Sequence, residues 1–304
     1  MSWRLGYVST SLTLGLGASH TCRLANATPR RLEELIALNL QELEQILLFN
    51  EAQGIELFRI GSSLVPLASH PVNRLRWWRT FARDFERIGQ IAARSRQRLS
   101  MHPSPAGASI SSAREQVRRA AIAELRYSTR VLDLLGQGPE ARVLVHLGGA
   151  APDRPTALRA ADRFLRSMPE DARRRLALEH DDRIWRAREV HPLAVAHGLP
   201  FVADTLHNAV LPSYPPLSLE ELVALCASSW ARLGLRPKLH LASQKPGAKP
   251  GAHADFVDPA DDERLARALG EREMDVMLEA KQKDRALFAL RSLGEVGRRP
   301  SPEP

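Results

Sequence analysis

The sequence predicts a (β/α)8 barrel, a TIM barrel, formed as one domain over residues 1–293. Three observations predict it. Eight short apolar runs are spaced along 304 residues, a long amphipathic segment follows each run, and the runs repeatedly end in an acid or an imidazole. The expected strands are 4–9, 55–60, 98–101, 142–146, 176–179, 201–204, 237–240 and 275–279. The expected helices are 29–53, 77–96, 112–135, 156–167, 186–197, 218–230, 261–269 and 281–293. An open doubly wound sheet is the competing architecture. It lacks support, because Gly15-x-Gly17 has no third glycine at the required spacing and opens no helix, so no nucleotide cofactor is expected.

Taken in order, the elements carry their own punctuation. Pro29 follows Thr28 at a first helical turn. Gly54, Gly136 and Gly198 fall just past three helix ends, where a left-handed residue closes a helix. Within 112–135, apolar residues recur at three- and four-residue steps through Val117, Ala121, Leu125, Val131, Leu132 and Leu135. The run 244–253 is rich in Lys, Pro and Gly and reads as a surface loop, and 294–304, with three prolines, reads as a disordered tail.

Composition narrows the function classes. An apolar content of 44% supports a large core. Cys22 and Cys226 lie far apart without metal-type spacing, which argues for a reducing compartment and against a disulfide scaffold. No apolar run approaches the ~20 residues of a membrane span, and the stretch 8–17 lacks a charged flank and cleavage site, so a cytoplasmic protein is expected. The net charge of +8 suits a polyanionic partner, although arginine-rich chains also arise from GC-rich genomes.

In such a barrel the C-terminal strand ends meet on one face, and active sites are built there. Strands end in His102, His146, Glu179, Asp204, His240 and Glu279. His70 follows the second strand, His207 lies just beyond the sixth, and His253 sits in the loop after the seventh. Six imidazoles and three carboxylates in one bowl need compensation, and divalent cations provide it. Three ions with four or five ligands each, some shared, match this inventory, with manganese and zinc both suited to nitrogen and oxygen donors. Any one of these histidines alone is more often an ordinary hydrogen-bonded residue, and it is the joint placement that carries weight. Glu179 is the candidate bridging carboxylate. His180, beside it, is a candidate supporting residue, while His191 and His197 read as surface positions on a helix.

These residues lie in stretches that resemble the UV damage endonuclease family, relatives of endonuclease IV. The matching stretches are Arg4-Leu-Gly-Tyr-Val8, Leu12-Thr-Leu-Gly15, Phe49-Asn50, Leu57-Phe-Arg-Ile60, Val65-Pro-Leu-Ala-Ser-His-Pro71 and Leu99-Ser-Met-His-Pro103. They continue through His146-Leu-Gly-Gly149, Leu178-Glu-His-Asp-Asp182, Asp204-Thr-Leu-His207, Pro237-Lys-Leu-His240 and Val276-Met-Leu-Glu-Ala-Lys281. The resemblance implies a multinuclear metal centre held by the nine donors. It also implies incision of double-stranded DNA 5′ to a UV photoproduct or abasic site, leaving a 3′-hydroxyl. Separately from the resemblance, a monomer is expected.

By the same resemblance, Lys238 is a catalytic lysine, contacting phosphate or, if carboxylated, joining the metal site. Tyr7, Ser11 and Pro105 fall at lesion-contacting positions; on charge alone, apart from the resemblance, Arg59, Lys245 and Lys249 are expected as rim cations for the DNA backbone. Three departures stand out. Pro105 replaces the family's glutamine, Ser11 its asparagine, and His180 the asparagine of Leu-Glu-Asn-Asp. The chemistry is expected intact and the lesion recognition altered. The competing readings are a metal-dependent barrel enzyme acting on a small-molecule or peptide-linked substrate, and a DNA-binding protein without turnover. The last has no use for so full a donor set.

Overall fold

A computed structural model describes residues 3–103 and 107–296 of the chain. Eight strands form one all-parallel sheet: β1 (Arg4–Val8), β2 (Leu57–Ile60), β3 (Arg98–Met101), β4 (Val143–His146), β5 (Leu176–Glu179), β6 (Phe201–Val202), β7 (Lys238–Leu241) and β8 (Asp275–Leu278). Their hydrogen-bonded order is β6-β5-β4-β3-β2-β1-β8-β7. The sheet closes between β6 and β7 through a single parallel bridge, Asp204 to His240, where the His240 amide donates to the Ala203 carbonyl at 2.8 Å. The barrel is therefore the architecture expected, and each of the eight strands falls where an apolar run predicts one.

The helices are α1 (Pro29–Ala52), α2 (Trp77–Thr80), α3 (Ala82–Arg94), α4 (Glu115–Leu134), α5 (Arg154–Ser167), α6 (Glu170–Arg173), α7 (Ala187–Ala196), α8 (Thr205–Val210), α9 (Leu219–Ala231), α10 (Pro259–Leu269) and α11 (Lys283–Val296). Thr28 accepts from the Arg31 amide as N-cap of α1, with Pro29 in the first turn. Gly54, Gly136 and Gly198 take φ of +60°, +61° and +64°, the left-handed closure expected of them.

Three features differ from the sequence reading. The helix expected over 77–96 is two helices, because Phe81 (φ −105°, ψ 18°) leaves helical geometry at the junction. The short α6 and α8 carry no signal in the sequence, since neither is long enough to show a 3.6-residue period. Helix α11 runs to Val296, so the first three residues of the expected tail are helical; 297–304 lie outside the described residues.

The core fills the barrel and the layer between strands and helices, with Trp185, Trp230, Phe58, Phe85, Phe164 and Phe201 fully buried. Burying such side chains contributes roughly 1.5–3 kcal/mol each. Gly6 lets β1 approach β2 closely: a Cβ there would lie 2.2 Å from the Leu57 carbonyl oxygen.

At the N-terminal end of the barrel, the fully buried Asp275 accepts from Arg4 Nε at 2.8 Å, Arg98 at 2.8 Å and Arg236 Nε at 2.9 Å. Arg98 also donates to the Glu140 and Arg236 carbonyls and lies over the Trp230 ring. Among the described residues, no helix is long and apolar enough to cross a membrane.

Candidate metal centre

The opposite end of the barrel collects the donors. Glu179, the last residue of β5, is 1% exposed and stands among four imidazoles. His102 Nε2 lies 3.0 Å from its Oε2 and His146 Nε2 4.0 Å from the same oxygen. His240 Nδ1 lies 2.9 Å from Oε1, and His207 Nδ1 3.6 Å from it. Parallel strands in register produce this convergence: His146 is paired directly with Glu179, and Asp204 with His240.

Two further carboxylates complete the cluster. Glu279 Oε1 lies 3.1 Å from His240 Nδ1, and its Oε2 3.7 Å from His253 Nδ1. Asp204 divides its two oxygens. Oδ1 accepts the His207 amide at 2.8 Å and so caps α8, whereas Oδ2, fully buried, has no hydrogen-bond partner among the described residues and lies 3.8 Å from His240 Nδ1. The Asp-x-x-His spacing is thus at once a helix start and a donor pair.

Two sets of side chains bring their ligand atoms within 4.8 Å of one another: His102, His146 and Glu179, and Glu179, Asp204, His240 and Glu279. Glu179 belongs to both. His207 and His253 flank the second set at the distances given above.

The electrostatics match a cation site. Burial raises the Glu179 carboxyl, but the charges of His240 and His146 and hydrogen bonds from His102 and His240 outweigh it and hold the group well below the usual carboxylate range. Burial likewise opposes ionisation of Glu279, and the charges of Arg59 and His240 overcome it, again lowering the group. Asp204 is raised, burial dominating. Burial pushes His207 down, yet Asp204, Glu179 and Glu279 drive it up to about 9, while burial holds His146 at about 4. The pocket is acid-rich and draws positive charge from whatever is near. An orphaned, buried carboxylate oxygen beside open imidazole nitrogens fits divalent ions.

Supporting residues surround the donors. His180 is fully buried, and its Nε2 accepts the Asp204 amide at 2.9 Å, which fixes it neutral; burial lowers it to about 3. Its carbonyl oxygen lies 3.0 Å from His207 Nδ1. Lys238 is fully buried and donates to Ser100 Oγ at 2.8 Å, and burial with the charges of Arg98 and Arg59 depresses it well below the usual lysine value. Sequence reasoning misses Ser100; its signal is a small polar residue between the apolar Leu99 and Met101 of β3. It misses Asp284 too, which accepts from the Ser11 hydroxyl and the Leu12 and Thr13 amides, across more than 270 positions of chain.

Several expectations need correction. His70 is in neither set: it is exposed in the turn after β2, where its Nδ1 accepts the Val72 amide at 3.1 Å. Tyr7 is fully buried, donates to Asn50 Oδ1 at 2.8 Å and meets Phe58 edge-on, so it is a core residue and not a lesion contact. Ser11 is equally buried and spent on Asp284. Arg59 is not a rim cation but points inward and pairs with Glu279. Lys245 is exposed, 3.3 Å from Asp255. His191 and His197 are half-buried, not surface, and His197 Nε2 lies 2.9 Å from Asp162. Pro105 lies outside the described residues.

Beside His146 opens a cleft of about 500 Å³ lined by Gly148, Gly149, Asp181, Asp182, Arg183 and Ile184. It adjoins a second hollow of about 570 Å³ that shares Gly149 and includes Ser112 and Arg114.

Comparison with known proteins points one way. The family profile described as UV-endonuclease UvdE matches residues 3–298. A UV DNA damage endonuclease of Bacillus pumilus is 31% identical over 300 residues, covering 95% of this chain and 93% of its own. The crystal structure of SacUVDE superimposes with a TM-score of 0.89 at 31% identity, covering 98% of this chain and 100% of that one. Endonuclease IV from Thermus thermophilus matches with a TM-score of 0.60 at 16% identity, covering 96% of this chain and 99% of its own, a likeness of fold alone.

Proposed function

The chain belongs to the UV-endonuclease UvdE family, and on that footing we propose that it is a metal-dependent DNA repair endonuclease. It cuts the phosphodiester 5′ to a lesion, a UV photoproduct or an abasic site, and leaves a 3′-hydroxyl. The observation that carries this reading is the convergence of two donor sets on one shared carboxylate, Glu179, at the barrel mouth.

His102, His146 and Glu179 would hold one divalent ion, and Glu179, Asp204, His240 and Glu279 a second, with His207 and His253 beside them. Three ions, manganese or zinc, remain the reading for the donors at the mouth, with His70 left outside both sets. When bound, such ions supply a water of lowered pKa, neutralise the phosphate and steady both apical oxygens.

The chain's own groups do the rest. Glu179 offers an oxygen to each side of the cluster, and His180 and the α8 cap keep Asp204 Oδ2 aimed inward. Arg59 holds one oxygen of Glu279. Lys238, whose ammonium form burial and the charges of Arg98 and Arg59 disfavour, would as the free amine take up carbon dioxide as a carbamate, releasing a proton and adding a carboxylate to the site. The cleft beside His146, with exposed Arg183, receives the scissile strand. Because Tyr7 and Ser11 are internal, altered lesion recognition rests on Pro105.

The test is an oligonucleotide duplex with one thymine dimer or one abasic site, incubated with the full chain and Mn²⁺. A nick on the 5′ side with a polymerase-extendable end is expected. Failure to cut any damaged duplex, or cutting on the 3′ side, rejects the reading.

A further inference from the structure

One aromatic side chain at the barrel mouth is covered by nothing among the described residues. Of the three tyrosines, Tyr7 and Tyr127 are buried, while Tyr214 is 91% exposed. It sits in the segment 211–217 between α8 and α9. That segment leaves the helix carrying His207 and capped by Asp204, and so belongs to the same end of the barrel as the donors.

The backbone around Tyr214 is held firmly. Arg186 Nε donates to the Pro212 carbonyl at 2.9 Å, and Arg188 Nε donates to the Pro215 carbonyl at 2.9 Å. The Arg188 amide donates to Ser213 Oγ at 3.2 Å, with Ser213 itself buried. Prolines at 212, 215 and 216 remove further backbone freedom. The anchors on both sides are pinned, Ser213 and Leu217 are buried, and the Tyr214 ring stands in solvent with the exposed prolines 212, 215 and 216 beside it. Arg183, in the cleft beside His146, and Arg186 and Arg188 place guanidinium groups on the stretch that leads from the donors to this loop.

We propose that Tyr214 is a base-stacking contact that helps distinguish damaged from intact DNA, an inference that rests on the endonuclease reading above. A lesion weakens stacking and pairing, so a base there is displaced at lower cost than in intact duplex. A displaced base needs a flat apolar face, and a ring on an already ordered loop offers one with little further loss of backbone entropy. The neighbouring guanidinium groups suit the phosphates that flank such a base. Full exposure also separates this role from a structural one, since the ring has no packing to lose.

The experiment uses the full chain with Tyr214→Ala and Tyr214→Phe. Fluorescence anisotropy in chelator measures binding to duplexes with and without one thymine dimer, and nicking in Mn²⁺ follows on the same duplexes. Tyr214→Ala should weaken binding to the damaged duplex ~5- to 150-fold. Its affinity for intact duplex and its melting temperature should stay near wild type, and Tyr214→Phe should restore the loss. If wild type binds and nicks while Tyr214→Ala discriminates equally well, this inference alone falls. Equal losses on both duplexes also overturn it, as does a change in sedimentation that marks the ring as a contact between copies. A wild type that neither binds nor nicks damaged DNA overturns both readings.

Discussion

The two ends of the barrel solve the same problem differently. Each buries carboxylates that water would otherwise solvate. At the N-terminal end, one carboxylate, Asp275, meets three guanidinium groups, each within 2.9 Å. At the C-terminal end, three carboxylates share one inward guanidinium and a ring of imidazoles, and one oxygen of Asp204 has no donor among the described residues. The first end supplies its own cations and is a stability device; the second falls short of positive charge and is built to receive it. Buried ionic groups thus read as structural or functional according to whether the chain itself balances them.

The strongest blow to this contrast falls on the second end. Glu179→Gln should lower nicking by roughly three orders of magnitude while circular dichroism stays native, since each tenfold is ~1.4 kcal/mol of barrier and the amide cannot serve both donor sets. An active Glu179→Gln would dissolve the distinction.

Asp275→Asn attacks the first end and should destabilise the fold by ~3–5 kcal/mol in chemical denaturation, with activity per folded molecule preserved. Its pH dependence is fixed in sign. Burial raises Asp275, but the hydrogen bond from Arg4 and the charges of Arg98 and Arg4 outweigh it, so the folded pKa lies below the unfolded one. Its contribution is therefore full above the unfolded value of about 3.9 and fades as pH falls through the lower, folded one. Wild type should lose this contribution in acid and Asp275→Asn should have none to lose; parallel curves would contradict the assignment.

Asp204 sharpens the comparison, because it serves both purposes. Asn caps a helix as well as Asp, so Asp204→Asn should leave the melting temperature nearly unchanged yet weaken metal affinity about 10- to 100-fold by calorimetry. Asp204→Ala should add a stability loss of ~1 kcal/mol. The smallest effect is expected from Tyr7→Phe: ~1 kcal/mol for a buried hydrogen bond to Asn50, with discrimination between damaged and intact duplex untouched. A selective loss of discrimination would restore Tyr7 to the recognition surface.

Much of the catalytic end is legible in the sequence because its signal is local. An apolar run that stops at His102, His146 or Glu179 declares a strand and its mouth together, and the parallel register brings the residues face to face. The other end is not legible, since Arg4 and Asp275 are partners separated by 271 positions and nothing near either one announces the other. The same limit misplaces Arg59 and Tyr7. A strand residue points inward or outward according to the pleat, and motif matching carries no information about that direction. His70 shows the converse, since its motif is intact while its exposed turn keeps it out of both donor sets.

Only one bridge closes the seam between β6 and β7, and its two residues are Asp204 and His240. The closing join of the cylinder is therefore riveted by the same pair that would grip a cation. Demetallation should accordingly be felt as loosening: amides at 201–204 and 238–241 should exchange with deuterium sooner than those across β1 and β2.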